Sequence, residues 1–457
     1  MPEQLLVQFA GEGSGVGELS WGQQTIWRGI RARGGRPIWL PGLEPIAPGK
    51  TEQDVADLLR FLMSRYQSLR TRLLISDDEQ VKQMVASSGE IALQIADADD
   101  DADPFAVARA LQAQWLVADI DWARQWPVRM AVVRHKGVPA YRVTTMCHTV
   151  TDGFGVLVMM AESDHLAVMD RARSSPPDPI TAPAEGPVTA MEPLEQAQWQ
   201  ASSAGKRRSA IAERYWERVL RTIPPRMFTK QAEPRIPRYL QLRLNSPAAY
   251  LAVQSIAGRI GADTSPVLLA AFAAALSRTT GVSPAVPRVI VNNRFRSRLA
   301  ESVSPIAQTS PCSIDIAGIT FDEAVKRTFT ASIAAFKNAY FEPARIREIL
   351  AGASKERGVD IDLSCVYNDL RMGTPRDVAA ALPGPGDVRA ALPLTTLRWE
   401  DQAADDPCHI QIVDSPGSIE VLAAIDSYQV SAAEVEAVVR EMEAVTVRAA
   451  FDPAAQV

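Results

Sequence analysis

Between residues 174 and 193 the chain reads SSPPDPITAPAEGPVTAMEP, dense in Pro, Ala, Ser and Gly and without any hydrophobic period. Proline removes a backbone donor and fixes φ, so such a stretch continues neither a helix nor a central strand. No single core can run through it. We expect a linker over 174–193, an N-terminal lobe over 1–173 and a C-terminal lobe over 194–457. The length of 457 residues, too long for one typical core, fits that division.

Both sides of the linker alternate strand and helix signals. In the first lobe LLVQF (5–9) predicts a strand. TEQDVADLLRFLMSRYQSL (51–69) places Val55, Leu58, Leu59, Leu62, Tyr66 and Leu69 on one helical stripe, with Thr51 and Asp54 suited to cap its start. Short strands are expected near 71–76, 80–86 and 91–96, a helix near 104–117, and a hairpin from 128–135 and 139–148 around Lys136-Gly137. A helix from Gly153 to about Arg171 closes the lobe. The second lobe predicts helices at 206–221, 246–261, 265–279, 320–339, 343–352 and 431–450. Its strands are expected at 239–244, 287–292, 306–316, 363–368, 394–400, 409–414 and 418–425. The aperiodic LPGPGDVRAALP (382–393) predicts a loop, a candidate latch between lobes. The fold class expected is α/β, in two lobes of similar element content.

Composition excludes some functions. A hydrophobic fraction of 47% and a charged fraction of 22% describe a globular chain, and a net charge of -6 offers no overall attraction to nucleic acid or anionic membrane. Cys147, Cys312, Cys365 and Cys408 are scattered without a Cys-x-x-Cys pair, so neither a metal site nor a disulfide framework is indicated. The start MPEQLLVQFAG lacks a basic region ahead of a long apolar run, and the longest such run, PVLLAAFAAAL (266–276), is far short of the roughly 20 residues of a membrane span. A soluble, cytoplasmic protein is expected.

The chemistry concentrates in MCHTVTDGFG (146–155). On a strand, successive side chains point to opposite faces, so Cys147 and His148 cannot both face one cleft. Asp152 and Gly153 fall where the next helix begins, a place with free N–H donors and partial positive charge. Histidine, a fixed turn and oriented N–H groups are the components of acyl transfer. The same residues also fit a hydrogen-bonded core histidine followed by an aspartate cap. A Cys-His nucleophile pair would need both side chains on one face.

CHTVTDG resembles the His-His-x-x-x-Asp-Gly signature of the condensation domains of nonribosomal peptide synthetases, in the chloramphenicol-acetyltransferase-like superfamily. Further stretches follow in family order. LSWGQQTIW (19–27) is similar to Ser-x-Ala-Gln-x-x-x-Trp, with Gly22 in the Ala position. RYQSLRTRL (65–73) resembles Arg-His-Glu-x-Leu-Arg-Thr-x-Phe and keeps Arg65, Leu69, Arg70 and Thr71. LEQAQWQ (194–200) looks like Tyr-x-Asp-Tyr-Ala-x-Trp, centred on Trp199. VSPIAQTSPCSID (303–315) resembles Ile-Gly-x-Phe-Val-Asn-Thr, and LSCVYND (363–369) falls where the family has a strand ending in Asn. The departures are Cys147 for the first His, Gln308 for Asn and Ser304 for Gly.

The resemblance implies two chloramphenicol-acetyltransferase-like lobes in a V-shaped pseudodimer, with His148 midway along a central tunnel. It implies an acyltransferase in which an amine or hydroxyl attacks a thioester. His148 would accept or orient the proton, and the Gly153 N–H region would stabilise the oxyanion. Asp152 would be structural, paired with Arg65. Cys147, Phe154, Arg70, Trp199 and Gln308 would brace the site or touch substrate.

No carrier-protein signature such as Asp-Ser-Leu occurs, so the phosphopantetheine thioester is expected from an acyl or peptidyl carrier protein in trans, with coenzyme A as the alternative donor. The expected enzyme is a free-standing monomer of natural-product biosynthesis, with no bound cofactor or metal. A non-catalytic recruitment domain of the same fold is the other alternative. Residues 206–238 carry ten basic against three acidic residues, a local +7, and Arg207 and Arg208 are the expected carrier-docking pair.

Overall fold

The computed structural model describes residues 3–172, 188–371, 382–401, 407–454 and 456–457, so most of the expected linker lies outside the described residues. The chain forms two compact units. The first holds Met1–Arg207 together with Asn292–Gln308, and the second holds Arg208–Val291 and Thr309–Val457. The division therefore falls at Arg207, beyond the start of the expected C-terminal lobe, and an internal stretch returns to the first unit.

In chain order the first unit contains β1 (Glu3–Ala10), β2 (Gly15–Glu18), α1 (Trp21–Ala32), β3 (Trp39–Pro45), α2 (Glu52–Arg65), β4 (Thr71–Ile75), β5 (Val81–Val85), β6 (Ser88–Ala98), α3 (Pro104–Leu116), β7 (Val128–His135), β8 (Val138–Cys147), α4 (Gly153–Ala172), α5 (Pro193–Ala201) and the start of α6 (Ser203–Leu220). Five strands form one sheet in the order β1-β6-β7-β8-β3, and β2-β5-β4 form a second. β6 and β7 run parallel, so the chain must cross over between them, and α3 is that crossover.

β7 is the middle strand and is buried on both faces, as its near-continuous apolar run requires. Met130 and Val132 pack with Val55, Leu59, Leu62 and Met63 of α2. Ala131 and Val133 pack with Ala108 and Trp115 of α3. Each large apolar side chain buried this way contributes about 1.5–3 kcal/mol. The Thr51–Asp54 capping box starts α2 as expected, but the helix stops at Arg65. Tyr66 is extended (φ -108°, ψ 116°), and its buried ring aims its hydroxyl at the Glu162 carboxylate of α4. A short 3-10 turn then covers 67–70 where the stripe predicted more helix.

The second unit contains β9 (Tyr239–Ser246), α7 (Pro247–Ile260), α8 (Thr264–Thr280), β10 (Arg288–Val291), β11 (Gln308–Pro311), α9 (Phe321–Lys337), α10 (Pro343–Arg357), β12 (Cys365–Asp369), α11 (Pro385–Ala391), β13 (Thr396–Asp401), β14 (Cys408–Ser415), β15 (Ser418–Asp426) and α12 (Ala432–Phe451). Its sheet has the order β11-β10-β12-β14-β15-β9-β13. α8 is buried continuously from Val267 to Leu276, which explains the long apolar run as a core helix. Among the described residues no single helix is long and apolar enough to cross a membrane. The stretch expected as a loop at 382–393 instead forms α11, whose Val388 and Ala391 pack on Ala248 and Ala252 of α7. Pro385 at its first turn and the Asp387 carboxylate on the Gly384 N–H start that helix, a signal hidden among its prolines and glycines.

Candidate active site

β8 lies between β7 and β3, and its last residues are tied to both. The Cys147 N–H donates to the Pro127 carbonyl and the His148 N–H to the Ile38 carbonyl, each at 2.7 Å. Alternation then separates the two side chains. Cys147 is fully buried with Ile30, Trp39 and Ile120, while His148 keeps part of its surface in solvent. Cys147 thus braces the floor under β8.

The His148 Nδ1 is sealed from solvent and has no hydrogen-bond partner, so the edge that solvent reaches is the Nε2 side. Burial holds the imidazole below its ordinary pKa, and the Arg33 charge lowers it further. Asp152 and the carbonyls of His148 and Thr151 pull the other way and do not win. The ring is neutral at neutral pH, the form that accepts a proton.

Four residues on, Asp152 caps α4, and its carboxylate is almost completely buried. Oδ1 accepts from the Gly155 N–H at 2.8 Å and from Arg294 Nη2 at 2.8 Å. Oδ2 accepts from Arg294 Nη1 at 3.1 Å and from the N–H groups of Ile306 and Ala307 at 3.0 and 3.1 Å. A carboxylate offers about four lone-pair sites, so this one has nothing left for a substrate proton. Its role is to fix the turn after His148.

The partner is not the expected one. Arg65 lies at the end of α2 and pairs with Glu162 on α4 at 2.9 Å. Arg294 takes its place, delivered by the stretch 292–308 that leaves β10 and returns at β11. Asn293 makes the bend at φ 59° and donates to the Ile306 carbonyl at 2.9 Å, while the Arg294 guanidinium also holds the Ser302 carbonyl at 2.7 Å. Val303 joins the apolar core of the first unit. Two glycines admit this stretch: a Cβ on Gly155 would stand 2.3 Å from the Val303 carbonyl oxygen, and one on Gly22 would stand 1.6 Å from that of Pro305. The latter accounts for glycine where the resembled motif has alanine.

Gly153 is exposed, and a Cβ there would meet nothing within 4 Å. It opens α4, and the N–H groups of Gly153 and Phe154 have no hydrogen-bond partner among the described residues. Phe154 is 39% exposed, with the Arg294 guanidinium 5.9 Å from its ring centroid. Around His148 the chain therefore presents a neutral imidazole, two open N–H groups at a helix start and an accessible aromatic face.

The other expected residues have supporting positions. Arg70 is buried, donates to the carbonyls of Glu12, Gly13 and Ala86, and is held below its ordinary pKa by burial. It fixes the chain between β1 and β2. Trp199 on α5 meets Trp21 on α1 edge-on at 6.4 Å, and the Trp21 N–H donates to Gln200 Oε1 at 2.8 Å. Gln308 is buried at the start of β11. Arg207 is exposed, but Arg208 is committed, since its guanidinium donates to the Lys337 carbonyl at the end of α9. The expected docking pair is thus reduced to Arg207.

Arg294 and Arg33 escaped the reading of the sequence. Asn292-Asn293 directly after a strand marks a turn, but nothing local says where Arg294 will land. Arg33 sits in RARGGRP, whose density of arginine was a visible signal.

On a mixed α/β fold, a histidine at a strand end is thus followed by an aspartate-capped helix that an arginine locks from a distant stretch. The family model for the condensation domain matches residues 47–373, and the chain belongs to that family. It is 23% identical over 329 residues to malpibaldin synthetase of Mortierella alpina, covering 70% of this chain and 6% of that one. It is 26% identical over 344 residues to the phosphinothricin tripeptide synthetase PhsB of Streptomyces viridochromogenes, covering 73% and 28%. The chain thus spans well under a third of the curated relatives it matches. Its fold is that of the first condensation domain of the CDA synthetase, with a TM-score of 0.68 at 15% identity over 97% of this chain and 98% of that one. The expected chloramphenicol-acetyltransferase-like fold is the one observed.

Proposed function

We propose that the chain forms an amide or ester bond by directing an amine or hydroxyl acceptor onto an acyl thioester carried on phosphopantetheine. The observation that carries this reading is the state of His148: a neutral imidazole whose Nε2 side is open, beside a turn whose only carboxylate is saturated. With Asp152 unable to take a proton, His148 is the group that receives or orients the proton of the attacking nucleophile. The open N–H groups of Gly153 and Phe154 lie at the positive end of α4, suited to the charge that develops on the carbonyl oxygen. The thioester carbonyl gains the nucleophile, the tetrahedral intermediate expels the thiolate, and the proton held at His148 returns to that sulfur.

In this reading the chain works in natural-product assembly, and the donor is presented by a carrier protein. Relatives such as the phosphinothricin tripeptide synthetase support that setting by name. The test offers the same acyl group on a carrier protein and on coenzyme A, with wild type and His148→Ala. Product from the carrier-bound donor with wild type, and loss of about 10²–10⁴-fold in the variant, is expected. Equal turnover by a folded His148→Ala would overturn the mechanism, and preference for coenzyme A would assign the donor to the alternative.

A further inference from the structure

We propose that the solvent-facing side of α4, from Gly153 to Ala161, is the bed for an apolar acyl chain on the thioester donor. The inference rests on the reading of the α4 start given above, and it names the chemical class of the group transferred.

The nine residues GFGVLVMMA (153–161) contain no polar side chain. A helix on the outside of a folded unit ordinarily turns polar residues to water, and this one does not. Its rotation is fixed from the other side. Val156 and Val158 pack on the core of the first unit, Met159 is buried in it, and Glu162 is held by Arg65 and the Tyr66 hydroxyl. The helical period then sets Gly153, Phe154, Leu157, Met160 and Ala161 together on the opposite side. Phe154 is 39% and Met160 42% exposed, Gly153 and Ala161 are exposed, and Leu157 is half-buried. An all-apolar face left in water is the surface a hydrocarbon ligand covers with gain.

Position selects the occupant. The face begins at the open N–H groups of Gly153 and Phe154, which in the reading above receive the thioester carbonyl oxygen. Two chains leave that carbonyl carbon, the acyl group and, through sulfur, the pantetheine arm. The arm carries amides and a hydroxyl that need hydrogen-bond partners once water is removed, and the side chains of 153–161 offer none. A hydrocarbon chain needs none. From Phe154 to Ala161 the helix rises about 10 Å, room for a medium-length chain rather than an acetyl group. A second copy of the protein could cover the same face, and the experiment separates these occupants.

The whole chain, labelled with carbon-13 at the methyl groups of its twelve methionines, is titrated with octanamide, acetamide and desulfo-coenzyme A. The Met160 signal, assigned by its loss in Met160→Gln, should shift saturably with octanamide and hardly with acetamide. Leu157→Gln and Ala161→Gln should weaken that binding several-fold. Transfer is then followed with acetyl, butyryl, hexanoyl and octanoyl donors on one carrier protein. Here kcat/KM should rise up to about fourfold for each added methylene, and the octanoyl-to-acetyl ratio should collapse in Met160→Gln and Leu157→Gln.

No Met160 shift with octanamide, or a shift undiminished in both Leu157→Gln and Ala161→Gln, overturns the proposal. A shift with desulfo-coenzyme A that matches the one with octanamide also overturns it and gives the face to the pantetheine arm. A change on raising protein concentration alone gives the face to a second copy, with the same consequence. An octanamide shift in a protein whose transfer ignores donor chain length moves the site to the acceptor and is equally fatal. With His148-dependent transfer intact, each of these results rejects the acyl bed alone. An octanamide shift in a chain that performs no acyl transfer rejects the proposed function instead.

Discussion

Arg294 grips both carboxylate oxygens of Asp152, at 2.8 and 3.1 Å, from 142 residues further along the chain. Both side chains are nearly excluded from solvent. The turn that carries His148 is thus held by a residue that reaches it only when the stretch 292–308 is seated. Removal of one partner from such a pair leaves a buried charge, which costs about 3–5 kcal/mol. Arg294→Ala should lose that much in denaturant unfolding, and Arg65→Ala, which leaves the Asp152 lock in place and removes the partner of Glu162, should lose less. Equal losses would place the lock elsewhere.

Two glycines two residues apart should respond in opposite ways. Gly155→Ala drives a Cβ to 2.3 Å from the Val303 carbonyl oxygen and 2.5 Å from Thr151 Oγ1, both part of fixed structure. A loss of about 1–3 kcal/mol or more is expected by thermal or chemical unfolding. Gly153→Ala has free space and adds a better helix former at the start of α4, so its stability should hold or rise slightly. Any fall in its kcat then reports crowding of the reacting groups.

His148 sets the acid limb of activity. Its folded pKa lies below the ordinary 6.5 because of burial. Activity that needs the neutral ring should therefore persist below pH 6.5 and fall only as pH drops through the depressed value. Stability follows the same sign. The unfolded chain binds the proton more readily, so the contribution of this residue is complete above pH 6.5 and is lost as pH falls through the folded pKa. The acid limb of kcat/KM, compared with the stability of wild type and His148→Ala across the same range, checks both.

Glu192 works in the opposite direction. It precedes α5, and burial pushes its carboxyl up to about 7, against the pull of Arg70, Arg65 and the N–H groups of Ser68 and Gln67. A raised folded pKa stabilises the protein fully below the ordinary 4.5, and that contribution is lost as pH rises through about 7. Glu192→Gln should remove this dependence and be the more stable protein, relative to wild type, at pH 8 than at pH 5. Chemical denaturation at the two values decides it.

Much of this molecule was legible locally. The stripe of α2 with its Thr51 cap, the all-apolar α8, the hairpin of β7 and β8, and the placing of Cys147 inside with His148 outside all follow from periodicity and alternation, which act over a few residues. Where the stripe failed, at Tyr66, a side chain found a partner on another helix. Where a loop was expected at 382–393, Val388 and Ala391 found a surface on α7 that no local pattern reveals.

The sequence by itself determined that a histidine would end a strand, that an aspartate would start the helix after it, and that two α/β units would be needed. Only the tertiary structure decided that Arg294 rather than Arg65 would hold the aspartate, and that Gly22 and Gly155 would make room for its stretch. The physical reason is range. Hydrogen-bonding and hydrophobic periods bind neighbours in sequence, whereas the partner of a buried charge is whichever cation the packed backbone brings within about 3 Å of it.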